Sequence, residues 1–260
     1  MISTVSAGAA TAVGRRHLSN EDGHLVADAV FAVADGMGGH AAGEVASAMA
    51  LSRLRSLAAQ ADLSPDSVLA ALTGVSEEIF LAGAGNADQC GMGTTVAGLA
   101  LVRMAGAPHW LVFNVGDSRG YRFAGGVLTQ LTVDHSEVAE LVAAGTLTLQ
   151  DAQRHPRRNV ITRALGSRPA PEIDVWMFPP DPAERFLLCT DGLCQVVSDA
   201  VLAAALGTHS EPRAAAEELI ALAVAAGAED DVTAVVVDLQ ADLARADERT
   251  VPRASLPKES

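Results

Sequence analysis

Val30-Phe31-Ala32-Val33-Ala34-Asp35-Gly36-Met37-Gly38-Gly39-His40 begins as a short apolar run, breaks at Asp35 into a glycine-rich turn, and leads to Val45, Ala48, Leu51, Leu54 and Ala58 at helical spacing. The reading is strand, acidic turn, helix. Downstream, residues 62–64 followed by Pro65 resemble a cap that opens a second helix reaching about Leu81. After the glycine-rich stretch 83–93, residues 94–104 and 110–115 read as consecutive strands joined by a turn at Gly106-Ala107-Pro108. Further strands fit 121–123, 173–178, 186–190 and 232–239, and helices fit 199–206 and 212–226. Antiparallel strands with helices in pairs imply a layered α+β fold, a sheet core covered by helices. Residues 135–165 are polar and mixed, long enough to be a flap over a site or an ordinary surface excursion. Residues 242–260 lack periodicity, so a flexible C-terminal tail is expected after a domain spanning 1–241.

Composition narrows the function. Of 260 residues 49% are hydrophobic and only 3% aromatic, which requires a core of Ala, Val and Leu and excludes disorder over most of the chain. Eighteen basic against 32 acidic residues leave a formal charge of −14, so a nonspecific nucleic-acid or anionic-membrane surface is not expected. That surplus either serves solubility or converges in part on cations. Cys90, Cys189 and Cys194 have no CxxC spacing, and a disulfide framework is not expected. The N-terminus lacks a basic-then-apolar leader and no apolar run of membrane-spanning length is read, so the cytoplasm is the default location.

Four acidic turns are read with one grammar, in which an apolar run delivers an Asp to its end and Gly or a small polar residue follows, and a fifth acidic segment precedes the last strand. They are Asn20-Glu21-Asp22-Gly23, Ala34-Asp35-Gly36, Val115-Gly116-Asp117-Ser118, Cys189-Thr190-Asp191-Gly192 and Glu229-Asp230-Asp231-Val232. A lone Asp-Gly is ordinarily a structural turn. Repetition changes the reading, because strand ends meeting at one sheet edge would crowd carboxylates whose charges repel. Hard divalent cations relieve that repulsion, and oxygen donors favour magnesium or manganese over zinc.

Here the chain resembles the metal-dependent protein phosphatases, the PPM or type 2C family, in its bacterial serine/threonine branch. The resemblance rests on Gly14-Arg15-Arg16-His17-Leu18-Ser19-Asn20-Glu21-Asp22, Ala34-Asp35-Gly36-Met37-Gly38-Gly39-His40, Gly91-Met92-Gly93-Thr94-Thr95, Val115-Gly116-Asp117-Ser118-Arg119, Asp134-His135-Ser136, the stretch Asn159 to Gly166, Thr190-Asp191-Gly192-Leu193 and Asp230-Asp231-Val232-Thr233, in family order from about Gly8 to Leu239. It implies a four-layer sandwich of two mainly antiparallel β-sheets flanked by pairs of α-helices, with a metal centre at the sheet edges. The implied reaction is hydrolysis of phosphoserine and phosphothreonine in proteins, opposing a bacterial Ser/Thr kinase, with a monomer as the family norm.

The resemblance also assigns roles. Two ions, Mn2+ or Mg2+, would activate a bridging water. Asp35 matches the carboxylate that bridges them and Gly36 the backbone carbonyl at the second ion, while Asp191 and Asp230 match the remaining ligands of the first. Glu21 and Asp22 match the acidic pair near the second ion. A third, weaker site in bacterial relatives uses the positions matching Asp117 and Asp191, with the flap near Asn159 as a further candidate; the alternative for Asp117 is a plain turn residue.

Two departures stand out. His17 occupies the position of the usual phosphate-gripping arginine, which leaves either Arg16, by a shift in register, or His17 itself for the substrate phosphate. Met37 stands where some members carry a proton-donating histidine. His40 is read as the start of the following helix, and His135 and His155 as exposed bystanders. The competing function is a phosphatase-like regulatory module that binds phosphoproteins without turnover; retention of Asp35, Asp191 and Asp230 weighs against it.

Overall fold

The computed structural model describes residues 4–38, 42–60, 62–181 and 184–240. In chain order these form β1 (Thr4–Ala12), β2 (Asp22–Val26), β3 (Val30–Met37), α1 (Ala42–Ala58), α2 (Pro65–Gly85), β4 (Gly93–Thr94), β5 (Val96–Met104), β6 (Ala107–Val115), β7 (Arg119–Ala124), β8 (Val127–Gln130), α3 (Glu137–Ala143), α4 (Leu149–Ala152), β9 (Asp174–Phe178), β10 (Arg185–Cys189), α5 (Asp191–Cys194), α6 (Asp199–Thr208), α7 (Pro212–Ala226) and β11 (Val232–Gln240). One sheet has the order β1-β11-β10-β7-β8, the other β2-β3-β5-β6-β9, with β4 pairing β3. All pairings are antiparallel.

Side-chain alternation makes this a four-layer sandwich. Along β3, Val30, Ala32 and Ala34 face α1 and α2, while Phe31 and Val33 face the opposite sheet. Along β11, Val232, Ala234 and Val236 face α6 and α7, and Val235, Val237 and Leu239 point into the space between sheets. Strands buried on both faces must be apolar throughout, which is why both segments lack the polar alternation of a solvent-facing strand. Trp110 meets Phe186 edge-on at 5.5 Å, and Phe178 stacks on Phe186 at 6.0 Å in the inter-sheet layer. Ala42, Ala46 and Ala50, all buried, let α1 lie close to its sheet.

Several expectations require correction. β3 does not end at Asp35 but runs on to Met37. Asp35 N–H donates to Thr95 Oγ1 at 3.0 Å, Asp35 C=O accepts from Thr95 N–H at 2.9 Å, and Gly36 N–H donates to Glu21 C=O at 3.2 Å. Pairing on both sides thus holds the Asp-Gly extended. The hairpin between β5 and β6 turns at Ala105 and Gly106, both at positive φ, so Pro108 lies inside β6, beyond the reach of β9. β1 was not foreseen: its central Ala and Gly residues have little strand propensity, yet all nine residues pair with β11. α2 is 21 residues long and holds an 18-residue window of mean hydropathy 1.4, so by length and composition alone it could cross a membrane, although Asp66, Glu77 and Glu78 interrupt its apolar run. In this fold Val68, Leu72, Val75 and Ile79 bury one face of it in the α1 and sheet core. Pro65 and the reciprocal Ser64–Ser67 capping box start it as expected. Gly39, His40 and the segment 242–260 lie outside the described residues.

Candidate metal centre

Strand register brings the first two carboxylates together. Asp22 opens β2 directly opposite Asp35 in β3. Asp117 follows β6, Asp191 opens α5 immediately after β10, and Asp230 immediately precedes β11. The charges acting on Asp35 are those of Asp22, Asp191, Asp117 and Asp230, so these five share one volume at the sheet edges. Burial drives Asp35 and Asp117 well above the usual carboxylate range, and the neighbouring negative charges add to it. Asp22 is pushed up to about 8, chiefly by burial, although hydrogen bonds from Thr190 and Thr233 oppose the rise. Asp191 is pushed up to about 6, again by burial first and then by Asp230.

The donor set fits hard divalent cations. Asp22 Oδ1, Asp117 Oδ1 and Asp191 Oδ1 are buried with no hydrogen-bond partner among the described residues. Three orphaned carboxylate oxygens in one acidic cluster are costly unless a cation meets them. Close backbone approach shapes the same place: a Cβ on Gly36 would lie 2.1 Å from the Gly43 carbonyl oxygen, so only glycine lets β3 pass the first turn of α1.

Residues around the cluster fix its members. Thr190 Oγ1 donates to Asp22 Oδ2 at 2.8 Å and accepts from Thr233 N–H at 2.9 Å. Gln195 Nε2 donates to Asp191 Oδ2 and reaches Asn159 Oδ1 at 3.5 Å, linking α5 to the 135–165 segment. Gly116 N–H donates to His135 Nδ1 at 3.0 Å, and the buried Asn114 amide donates to Gly116 C=O at 3.1 Å. His135 is therefore not an exposed bystander: it is 5% exposed and shapes the turn that carries Asp117. Thr95 and Ser118 hydroxyls meet at 2.7 Å behind Asp35. Packing of the Thr94-Thr95 pair near the site is the one supporting role that the sequence offers; those of Thr190, Gln195, Asn114 and His135 were not assigned from it, and the signal for Thr190 was its adjacency to Asp191 at a strand end.

Glu21 sits at the rim. It is influenced by His17, Asp231, Glu44 and Asp230 rather than by Asp22 or Asp35, and burial raises its pKa. Asp231, beside Asp230, borders the five: its carboxylate accepts from Gly14 N–H and Glu21 N–H, both at 2.8 Å, and its charge adds to the rise at Asp22. Arg16 and His17 diverge. Arg16 Nη2 pairs with Glu229 at 2.8 Å and is highly exposed. His17 Nδ1 lies 3.1 Å from Asp231 Oδ2 and 3.6 Å from Asp230 Oδ1, and its pKa is raised, first by the hydrogen bond to Asp231.

The model of the Protein phosphatase 2C family matches residues 14–226. The chain belongs to that family. This 2C-type chain is 37% identical over 216 residues to the serine/threonine phosphatase stp of Listeria innocua serovar 6a, a match covering 80% of this chain and 84% of the relative. It is 39% identical over 230 residues to the serine/threonine protein phosphatase PstP of Mycobacterium tuberculosis strain H37Rv, which covers 85% of this chain and 42% of that longer protein. The crystal structure of the Mycobacterium tuberculosis phosphatase PstP/Ppp superposes with a TM-score of 0.85 at 35% identity, covering 92% of this chain and 100% of that one. A PstP catalytic domain in complex with two manganese ions superposes with a TM-score of 0.83 at 34% identity, over 92% of this chain and 100% of that one. Family membership and the two-sheet α+β fold expected from the sequence are thus both found.

Proposed function

We propose that this chain is a metal-dependent protein serine/threonine phosphatase in which residues 1–241 form the catalytic domain and 135–165 its flap. The observation that carries the reading is the five-carboxylate cluster with three buried, unpartnered oxygens. Asp35 would bridge two Mn2+ or Mg2+ ions, with Asp191 and Asp230 on the first and the Gly36 carbonyl, Asp22 and Glu21 on the second. Asp117 with Asp191 would hold a third, weaker ion. When bound, the ions supply Lewis acidity and an activated water nucleophile. The relatives named as serine/threonine phosphatases, and the manganese-bound neighbour, support this assignment.

The chain's own residues hold and orient this site. Thr190 and Gln195 lock the Asp22 and Asp191 carboxylates in one rotamer each, which spares that ordering cost on ion binding. Met37 supplies no proton, so no side chain at that position serves the leaving group. His17 is the better candidate for the substrate phosphate, because its raised pKa favours a cationic imidazolium at the cluster rim, whereas Arg16 is occupied by Glu229. The substrates would be phosphoproteins, opposed to a cognate Ser/Thr kinase, in the cytoplasm and as a monomer.

The test is hydrolysis of an aryl phosphate with Mn2+. Activity should vanish on chelation, and Asp35→Asn should abolish it while leaving the circular dichroism of the fold intact. Undiminished turnover by Asp35→Asn would sink the assignment.

A further inference from the structure

Outside the carboxylate cluster, the densest charge feature is positive. Residues 152–168 hold Arg154, Arg157, Arg158, Arg163 and Arg168 and no acidic residue, in a chain whose formal charge is −14. Three of these arginines are engaged. Arg157 pairs with Glu137, Arg163 with Asp174 at 2.9 Å, and Arg168 with Glu77 while lying 4.4 Å over the Phe80 ring. Arg154 and Arg158 are exposed, and among the described residues no carboxylate lies within 4.0 Å of either.

Their place matters more than their number. Arg158 N–H donates to His155 C=O at 3.1 Å and Val160 N–H to Arg157 C=O at 3.1 Å, and Glu137 N–H anchors the end of the turn on Val160 C=O at 2.9 Å. The next residue, Asn159, accepts the Gln195 amide that also holds Asp191. A backbone-fixed turn therefore carries Arg158 next to Asn159, the residue in contact with the rim of the acidic cluster, and Arg154 lies four residues earlier on the same segment.

We propose that Arg154 and Arg158 form a docking patch that selects phosphopeptides with acidic flanks, meaning Asp, Glu or a second phosphate near the phosphorylated Ser or Thr. The proposal rests on the phosphatase reading of the carboxylate cluster. Cations in that cluster would compensate the scissile phosphate alone. An acidic flank extends past them and meets the field of a chain with a large negative surplus, unless it passes a positive surface. Guanidinium groups match carboxylate and phosphate oxygens in bidentate geometry, and these two need break no internal ion pair to do so.

The experiment uses the full chain loaded with Mn2+ and three phosphopeptides that differ only in acidic, neutral or basic flanks, with an aryl phosphate assayed in parallel. Two exposed pairs correspond to about fivefold in kcat/KM for the acidic over the neutral peptide. That advantage should shrink between about 50 and about 300 mM salt, as screening shortens. It should disappear in Arg154→Ala/Arg158→Ala and invert in Arg154→Glu/Arg158→Glu, while aryl-phosphate kinetics stay at the wild-type level. A wild type that turns over the aryl phosphate without preferring acidic flanks, or a preference that survives the double alanine variant, overturns the docking patch alone. A matching rise in KM for the aryl phosphate also overturns it, since the arginines would then grip the scissile phosphate. Absence of aryl-phosphate turnover in the wild type refutes the phosphatase reading, and the patch with it.

Discussion

Asp191→Asn separates the cost of the carboxylate cluster to the fold from its value to the reaction. The side chain keeps an oxygen for the Gln195 amide but loses one negative charge among five. Because the folded-state pKa of Asp191, about 6, lies above its ordinary 3.8, the protonated form is the one the fold favours. Its stabilising contribution is fully present below the lower value and is lost as pH rises through the upper one. In the metal-free protein that loss is under about 1 kcal/mol at about pH 4 and on the order of 3 kcal/mol at about pH 8. Asparagine does not ionise, so metal-free Asp191→Asn should be more stable than wild type by a margin that grows over that range. Urea denaturation of chelator-stripped protein at several pH values measures the margin, with equal m-values showing that the same surface unfolds. Manganese at about 100 times its Kd should then stabilise wild type by about 2.7 kcal/mol and the variant by far less. Activity of the variant should fall more than about 100-fold, since even outer partners of metal ligands cost about 10- to 100-fold. A variant no more stable than wild type near pH 8 without metal, or a margin flat in pH, would refute the reasoning.

Three other perturbations test the supporting structure. Thr190→Val removes the donor to Asp22 and leaves Thr233 N–H unpaired in the core, which should cost about 1–3 kcal/mol in urea denaturation and weaken manganese binding about tenfold by titration. Asp231→Ala strips the acceptor from Gly14 and Glu21 N–H groups and should cost about 2–4 kcal/mol, with faster amide exchange in residues 14–21 as the local readout. Titration of His17 by NMR should give a pKa above 6.5 that falls back in Asp231→Asn, and His17→Ala should raise KM for a phosphopeptide where Arg16→Ala does not.

The long apolar strands and the paired helices were legible because they are local in origin. Strands buried on both faces carry continuous apolar runs, and α2 and α7 begin at Pro65 and Pro212, where proline suits the first helical turn. β1 was not legible, since its small residues are extended only because β11 lies beside them over their whole length. The strand character of Asp35 and Gly36 was hidden for the same reason: Thr95 and Glu21, distant in sequence, supply the hydrogen bonds that a turn would otherwise have required. Composition and spacing pointed to a crowd of carboxylates, whereas the individual roles within the metal centre came from the family resemblance. His135 was misread because exposure is a tertiary property; its partners Gly116 and Asp174 lie on other elements.

Asp230 and Asp231 show where residue type stops being informative about a site. These adjacent acids immediately precede β11 and both reach His17 Nδ1, at 3.6 Å from Asp230 Oδ1 and 3.1 Å from Asp231 Oδ2, yet their further partners differ. Asp230 raises the pKa values of Asp191 and Asp35, whereas Asp231, 3% exposed on its side chain, adds to the rise at Asp22 and is held by the backbone N–H groups of residues 14 and 21. Exchanging their roles would require a one-residue slip of β11, which would turn Val235, Val237 and Leu239 out of the inter-sheet core. The hydrophobic register of the strand thus decides which acid takes which place. The Asp231 carboxylate also ties the loop that carries His17 and Glu21 to the start of β11, and so joins the rim of the site to its centre.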